Sequence, residues 1–166
     1  MIRRPVSTRR SGATTVEAAV VMSVFLLFLF GIFEYCRYLM MIEVTTNAAR
    51  DGARYAVVNV NKGSTFDSTD YSATYPSIKK YVNTRMAGVN SMIDSYTVTV
   101  FPCDDAMLAL TPPQAVAKSG ATWNEAQFGE RIAVKITGNY RTVLPSFLLM
   151  SATIPVNVVV TMGSEG

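Results

Sequence analysis

The sequence predicts an α+β protein built on one long N-terminal helix, part transmembrane and part amphipathic. That helix packs against a small, mostly antiparallel three-stranded sheet and one further helix. Three observations predict it. Residues 13–58 contain no proline and only two glycines, Gly31 and Gly52. Apolar or small residues recur at helical spacing over residues 35–56 and again over 78–93. Three later runs are rich in β-branched residues and alternate with period two.

The long helix has two halves. Residues 18–33 are uncharged and apolar, from Ala18 through Phe33, and with their flanks approach the ~20 residues that span a bilayer. Beyond Glu34 a stripe recurs at Tyr35, Leu39, Ile42, Thr46, Ala49, Ala53 and Ala56, with Arg37, Glu43, Arg50 and Asp51 between its members. At 1.5 Å per residue a continuous helix over 13–58 is about 70 Å long. The small residues Thr46, Ala49 and Ala53 let a sheet or another helix approach closely.

After the helix, residues 59–73 are polar and rich in Gly, Ser, Thr and Asp, a loop. Pro76 suits a first helical turn, and Ile78, Tyr81, Val82, Met86, Val89 and Ile93 form the stripe of a second helix. Strands are predicted at Thr97 through Phe101, from Ile132 toward Thr142, and over Ile154, Val156, Val158, Val160 and Met162. Pro155 places the third strand at an edge or puts the proline at a strand start. Tyr140 and Tyr81 read as wall or core residues, whereas Tyr71 and Tyr75 are open to an adhesive role. Residues 144–150, with Val143 before them, are too short to span a membrane. They read as a hairpin connection packed on the sheet; the alternative is an apolar patch that docks on the membrane surface or a neighbouring subunit. The domain division is therefore a basic leader over 1–12, a transmembrane half over 13–34, an outer helical half over 35–58 and an extracytoplasmic α+β domain over 59–166.

Charge sharpens the N-terminus. Four of the fifteen Lys and Arg residues (Arg3, Arg4, Arg9, Arg10) precede Gly12, where there is no acid. Taking those four from fifteen leaves eleven bases against twelve acids, a net charge of −1. A nucleic-acid partner needs a basic surface on the folded domain, so none is expected. Positive charge before an apolar segment holds the N-terminus in the cytoplasm. Neither a signal peptidase site nor a lipoprotein site fits, because the run ends in Phe33-Glu34-Tyr35-Cys36-Arg37 rather than small residues. Thr8-Arg9-Arg10 lacks the apolar residues a twin-arginine signal carries next. An uncleaved single-pass anchor stays open. Glu17 lies at the start of the apolar helix; a charge costs about 2.5–3.5 kcal/mol at the membrane centre and less near an end, and it calls for a partner.

The arrangement Arg10-Ser11-Gly12-Ala13-Thr14-Thr15-Val16-Glu17 resembles a type IV prepilin. The resemblance implies cleavage after Gly12, a new amine at Ala13, and a docking role in the membrane for Glu17, fifth in the mature chain. Further along, Thr45-Thr46-Asn47-Ala48-Ala49-Arg50-Asp51-Gly52-Ala53-Arg54-Tyr55-Ala56 resembles the T-N-A-A-R-E-G-A-R-Y-A segment of TadE-like proteins. Gly31-Ile32-Phe33-Glu34-Tyr35-Cys36-Arg37 is similar to the same family, and the likeness is dense over residues 9–58. One departure is plain: Ala18 follows Glu17 where Flp-type prepilins commonly carry an aromatic residue. The resemblance implies a bacterial minor pseudopilin of a tight-adherence (Flp-type) pilus. Its implied partners are a prepilin peptidase, other pseudopilins or pilus platform proteins, and membrane lipid. Asn47, Ala48, Ala49, Arg50, Gly52, Ala53 and Arg54 are implied helix-packing residues.

Catalysis finds little support. There is no histidine to act as base or metal ligand. Cys36 and Cys103 are too far apart in sequence for a Cys-x-x-Cys motif. Free or intermolecular thiols are expected rather than a bond between them. Cys103-Asp104-Asp105 is the one cluster with cation-binding residue types, and adjacent loop acids are ordinarily solvated. No cofactor, metal or enzymatic activity is expected. Two function classes remain: a pseudopilin processed after Gly12, and a permanent bitopic protein whose outer domain binds another envelope component. Both place residues 3–10 in the cytoplasm and everything after Glu34 outside the inner membrane. A reporter fused after Gly166 should therefore be active only in a periplasm-type compartment, and cytoplasmic activity would overturn the orientation.

Overall fold

A computed structural model describes residues 11–60, 77–86, 88–104, 106, 115–127, 129–143 and 151–163. Helix α1, Ser11–Val58, runs unbroken for 48 residues, about 72 Å at the usual rise. It has no proline to remove a backbone donor, and its hydroxyls do not disturb it. Ser23, Thr45 and Thr46 each donate to the carbonyl four residues back, at 2.9, 2.7 and 2.8 Å. The helix ends where the Asn59 side chain donates through Nδ2 to the Tyr55 carbonyl at 2.7 Å, satisfying one of the last orphan acceptors. Its most apolar 18-residue stretch is wholly unburied within the fold. A core helix of a soluble domain would be mostly covered, so this half of α1 has the length and composition of a membrane anchor.

Helix α2, Ile78–Arg85, starts at Ser77, whose buried hydroxyl accepts from the Lys80 amide at 3.1 Å. Pro76 lies outside the described residues, as do Tyr71, Tyr75 and residues 144–150. The helix is shorter than its stripe implies. Met86 caps it, Gly88 takes φ +89°, and a 3-10 turn at Asn90–Met92 follows. Ile93 thereby begins a strand instead of ending a helix. Val89 and Ile93 both remain buried in one core, so the helical spacing persists without the helix.

Three strands follow: β1 Ile93–Pro102, β2 Arg131–Arg141 and β3 Thr153–Gly163. They form one antiparallel sheet in the order β1-β2-β3. The fold is α+β, as the sequence predicts. β1 is longer than its alternation suggests because the register shifts between Asp94 and Thr97, with Ser95 at φ 54°. That bulge interrupts the period-two pattern. β3 is an edge strand, and its Pro155 sits third from the start, paired with Asn139.

α1 packs on β2 and β3, with α2 beside it against α1. The core between them holds Ala48, Ala49, Ala53 and Ala56 of α1, Ile78 and Val82 of α2, and Ile132, Val134, Ile136 and Tyr140 of β2. The expected stripe is correct at Ala49, Ala53 and Ala56. Nearer the apolar half the buried line is instead Glu34, Met41 and Thr45, while Tyr35 is 62% exposed and Leu39 42%. Residues 35–42 are apolar on several sides, so spacing alone does not select the face there.

Gly52 marks the closest approach. A methyl group in its place would collide with Cγ2 of Val82 and lie 3.7 Å from Val134 Cγ1. Val82 is β-branched and stiff in a helix, so it cannot swing away at little cost. Overpacking costs about 1–3 kcal/mol, against about 1 kcal/mol that alanine recovers over glycine in helix propensity. Gly52→Ala is therefore expected to be neutral to about 2 kcal/mol destabilising. Ala53→Asp should be far worse, because an unpaired charge in this core costs about 3–5 kcal/mol, a large share of the 5–15 kcal/mol typical of a domain. Asn47→Asp, on the exposed face of the same helix, should change little. Thermal unfolding of the three variants checks this, and equal midpoints for Ala53→Asp and Asn47→Asp would mean that the stripe is not a packed face.

Candidate functional site

The residues singled out in the sequence fall into three places along α1. Gly12 and Ala13 lie in its first turn, exposed, and a side chain built on Gly12 meets nothing within 4 Å. Glu17 is exposed one turn further, beside a shallow apolar groove formed by Thr14, Val21, Met22 and Phe25 of the same helix. Among the described residues it has no hydrogen-bond or ion-pair partner. Its carboxylate stands within the apolar half of the helix without compensation from any described residue.

The third place is the outer half, where the residues divide by face. Ala48, Ala49, Gly52 and Ala53 are buried against α2 and the sheet. Asn47, Arg50 and Arg54 point the other way, into a groove of about 640 Å3 completed by Val160, Thr161 and Met162 of the edge strand β3. Thus the small residues bring the elements together, and the polar ones edge a surface groove. A neighbouring seam ties α1 to α2: Asp51 pairs with Arg85 at 3.5 Å, Arg85 donates to the Tyr81 hydroxyl at 2.9 Å, and Tyr55 stacks on Tyr81 with centroids 4.5 Å apart. Tyr81 is half-buried, consistent with a wall residue.

A further cluster escapes sequence reasoning, which places Glu34 at the end of the apolar run and within the family-like segment but gives it no partner. Glu34 is 7% exposed, and its carboxylate accepts a hydrogen bond from the Tyr140 hydroxyl at 2.7 Å. The Val143 amide lies 3.4 Å from both carboxylate oxygens. Arg37, one turn on, places a guanidinium nitrogen 3.8 Å from the same carboxylate and its centre 5.4 Å from the Tyr140 ring centroid. Tyr38 meets that ring edge-on at 5.4 Å. Beside them a cavity of about 390 Å3 is lined by Gly31, Tyr35 and Ile154 with the two tyrosines and Glu34. The signal was present in the sequence as an acid at the boundary of an apolar helix and a tyrosine assigned to the core. Only the fold joins two residues 106 positions apart. Arg37 is consequently no bystander between stripe positions.

The residue types considered for cation binding do not converge. Among the described residues no group of three or more Cys, Asp or Glu is placed to hold a metal ion. Cys103 is buried and its amide bonds to Arg131, Asp104 accepts from the Ala106 amide at 2.9 Å, and Asp105 lies outside the described residues. Cys36 is exposed, and neither cysteine is in a disulfide.

Burial and then the bond to Glu34 push the Tyr140 hydroxyl up to about 12, and burial pushes Tyr96 up to about 12 as well. A tyrosine whose folded value is raised favours folding fully below the unfolded value of about 10 and loses that contribution as pH rises through it. The outer domain should therefore lose stability steadily between pH 10 and 12. Tyr140→Phe should cost about 1–3 kcal/mol at neutral pH, because it leaves a buried carboxylate short of a donor, and should flatten part of the alkaline decline. Urea unfolding at pH 7 and at alkaline pH tests both; an unchanged alkaline slope would mean that Tyr140 is not the group held neutral.

Comparison with known proteins bears on this same helix. Residues 12–54 match the family model described as TadE-like protein, a span that begins at the glycine before the proposed cut and ends at Arg54. No curated protein and no solved structure matches the chain. Over residues 12–54 the chain is similar to the TadE-like family, on a helix long and apolar enough to cross a membrane.

Proposed function

We propose that the protein is a membrane-anchored minor pseudopilin that takes part in assembly of a tight-adherence pilus. In this reading a prepilin peptidase cuts after Gly12, residues 13–34 span the inner membrane, and residues 35–58 carry the extracytoplasmic domain of residues 59–166. The partners are other pseudopilins or platform proteins, and the role is structural rather than enzymatic. The observation that carries the reading is the coincidence of the TadE-like match with a single uninterrupted helix.

Each residue has a physical task. Glycine at position 12 presents no side chain to obstruct a peptidase that must close around the chain. Cleavage frees the Ala13 amine, and the Glu17 carboxylate of a neighbouring subunit neutralises it. Two charges that are costly in lipid then cancel during docking. The buried Ala48, Ala49, Gly52 and Ala53 make the outer helix the spine of the domain. Asn47, Arg50 and Arg54, exposed beside edge strand β3, are the family residues left to contact a partner.

The alternative is an uncleaved single-pass protein whose outer domain binds another envelope component, and Ala18 after Glu17 is the residue that favours it. One experiment separates the two. In membranes containing the peptidase, wild type should lose twelve of its 166 residues, leaving 154, while a variant with Gly12→Leu keeps its full length. Glu17→Ala should insert normally yet fail to co-purify with pilus components. An intact leader on the native protein, detected by mass spectrometry, would overturn the pseudopilin reading.

A further inference from the structure

We infer that β3 accepts an extended, acid-bearing segment of a partner protein as a fourth strand, held by main-chain hydrogen bonds and by Arg50 and Arg54 of α1. The inference deepens the reading of Asn47, Arg50 and Arg54 as a partner surface and rests on it, but it does not depend on cleavage after Gly12.

The two edges of the sheet differ. β1 is guarded at its start by the register shift between Asp94 and Thr97, with Ser95 at φ 54°. Its far end is already covered. Ala117 bridges to Cys103, the Lys118 amide donates to the Pro102 carbonyl at 2.9 Å, and the Asp104 amide donates to the Val116 carbonyl at 3.0 Å. Bulges and covering segments are common ways to blunt an edge. β3 has one such device, Pro155, near its start. From Val156 to Gly163 it carries no charge and no proline, and among the described residues its main chain pairs with β2 alone.

The open part of β3 lies beside the arginines. Ile154 lines the cavity that Gly31 and Glu34 share, whereas Val160, Thr161 and Met162 line the groove with Asn47, Arg50 and Arg54. The strand therefore climbs α1 away from the apolar half. Its proline lies toward the membrane end, and its unguarded end reaches the basic residues.

Charge selects the occupant. Arg50 and Arg54 are exposed and, among the described residues, form no ion pair or hydrogen bond. Asp51, the acid lining the same groove, is engaged by Arg85 at 3.5 Å. The groove of about 640 Å3 thus offers two guanidinium groups beside a free strand edge. Four residues of helix set the arginines about 6 Å apart along the axis. Alternate residues of a strand stand about 7 Å apart on one face. A segment reading acid-x-acid along β3 therefore matches one carboxylate to each arginine. Main-chain bonds attach such a strand, and its alternate side chains give the selectivity.

The test uses the full chain in phosphatidylcholine nanodiscs and a fluorescein-labelled peptide, Thr-Val-Thr-Asp-Val-Asp-Thr-Val-Thr, followed by anisotropy. The peptide reads the same in both directions, so it suits a strand of either orientation. Wild type should bind it about tenfold more tightly than the same peptide with Asn for Asp, the difference expected from two exposed charge pairs. Arg50→Glu combined with Arg54→Glu should reverse the preference, toward a peptide with Lys for Asp. Both positions are exposed, and an unchanged thermal midpoint confirms that the variant is folded. Methylating the peptide nitrogens at alternate residues separates a strand from a simple ion pair: one alternate set should abolish binding and the other leave it intact. Equal binding by the two methylated peptides overturns the proposal. So does a wild type that ignores the Asp peptide, or an Asp preference that survives the charge reversal. If wild type ignores the peptide while the charge-reversed protein loses its pilus components on co-purification, strand addition falls and the partner surface stands.

Discussion

The structure depends on how closely other elements approach the outer half of α1. A helix 48 residues long cannot stand alone beyond a membrane unless one of its faces is covered. Ala48, Ala49, Gly52, Ala53 and Ala56 reduce that face almost to bare backbone, so the β-branched side chains of α2 and β2 rest directly on it. Larger residues would move the sheet outward and open the core. With β2 central in the sheet and on the helix, the same contact positions β1 and β3 through their ladders.

A second interaction sets the axial position of the sheet. Small residues form a smooth rail and do not by themselves stop a strand sliding along it. The Glu34–Tyr140 hydrogen bond does, because burying a carboxylate is unfavourable unless donors are aimed at it. A shift of β2 by one residue would take Tyr140 to the opposite face of the sheet and leave Glu34 short of its closest donor. Arg37, within ion-pair reach and over the tyrosine ring, offsets the remaining charge. The clamp sits at the end of the apolar run, on a helix that is unbroken from that run to the face that carries the sheet.

The TadE-like match covers the helix and none of the sheet. That limit is informative physically. The matched residues include Glu17, the clamp acid Glu34 and the small-residue face. Asn47, Arg50 and Arg54 are exposed on the opposite face, beside edge strand β3.

The sequence by itself determined the architecture. The absence of proline over residues 13–58 and the three alternating runs predict the long helix and the three strands, and of the two places open to Pro155, an edge strand or a strand start, the fold shows it third in an edge strand. The small-residue stripe was legible at Ala49, Ala53 and Ala56 because charged neighbours bound it there. It was not legible at residues 35–42, where apolar side chains surround the helix and periodicity carries no direction. The end of α2 was likewise invisible, since Val89 and Ile93 serve one core whether the chain between them is helix or turn. Only the tertiary structure decided the pairing of Glu34 with Tyr140 and the place of Val143 beside Phe33. Local pattern records which residues avoid water; which distant donor a buried carboxylate meets depends on the register of a whole sheet against a helix.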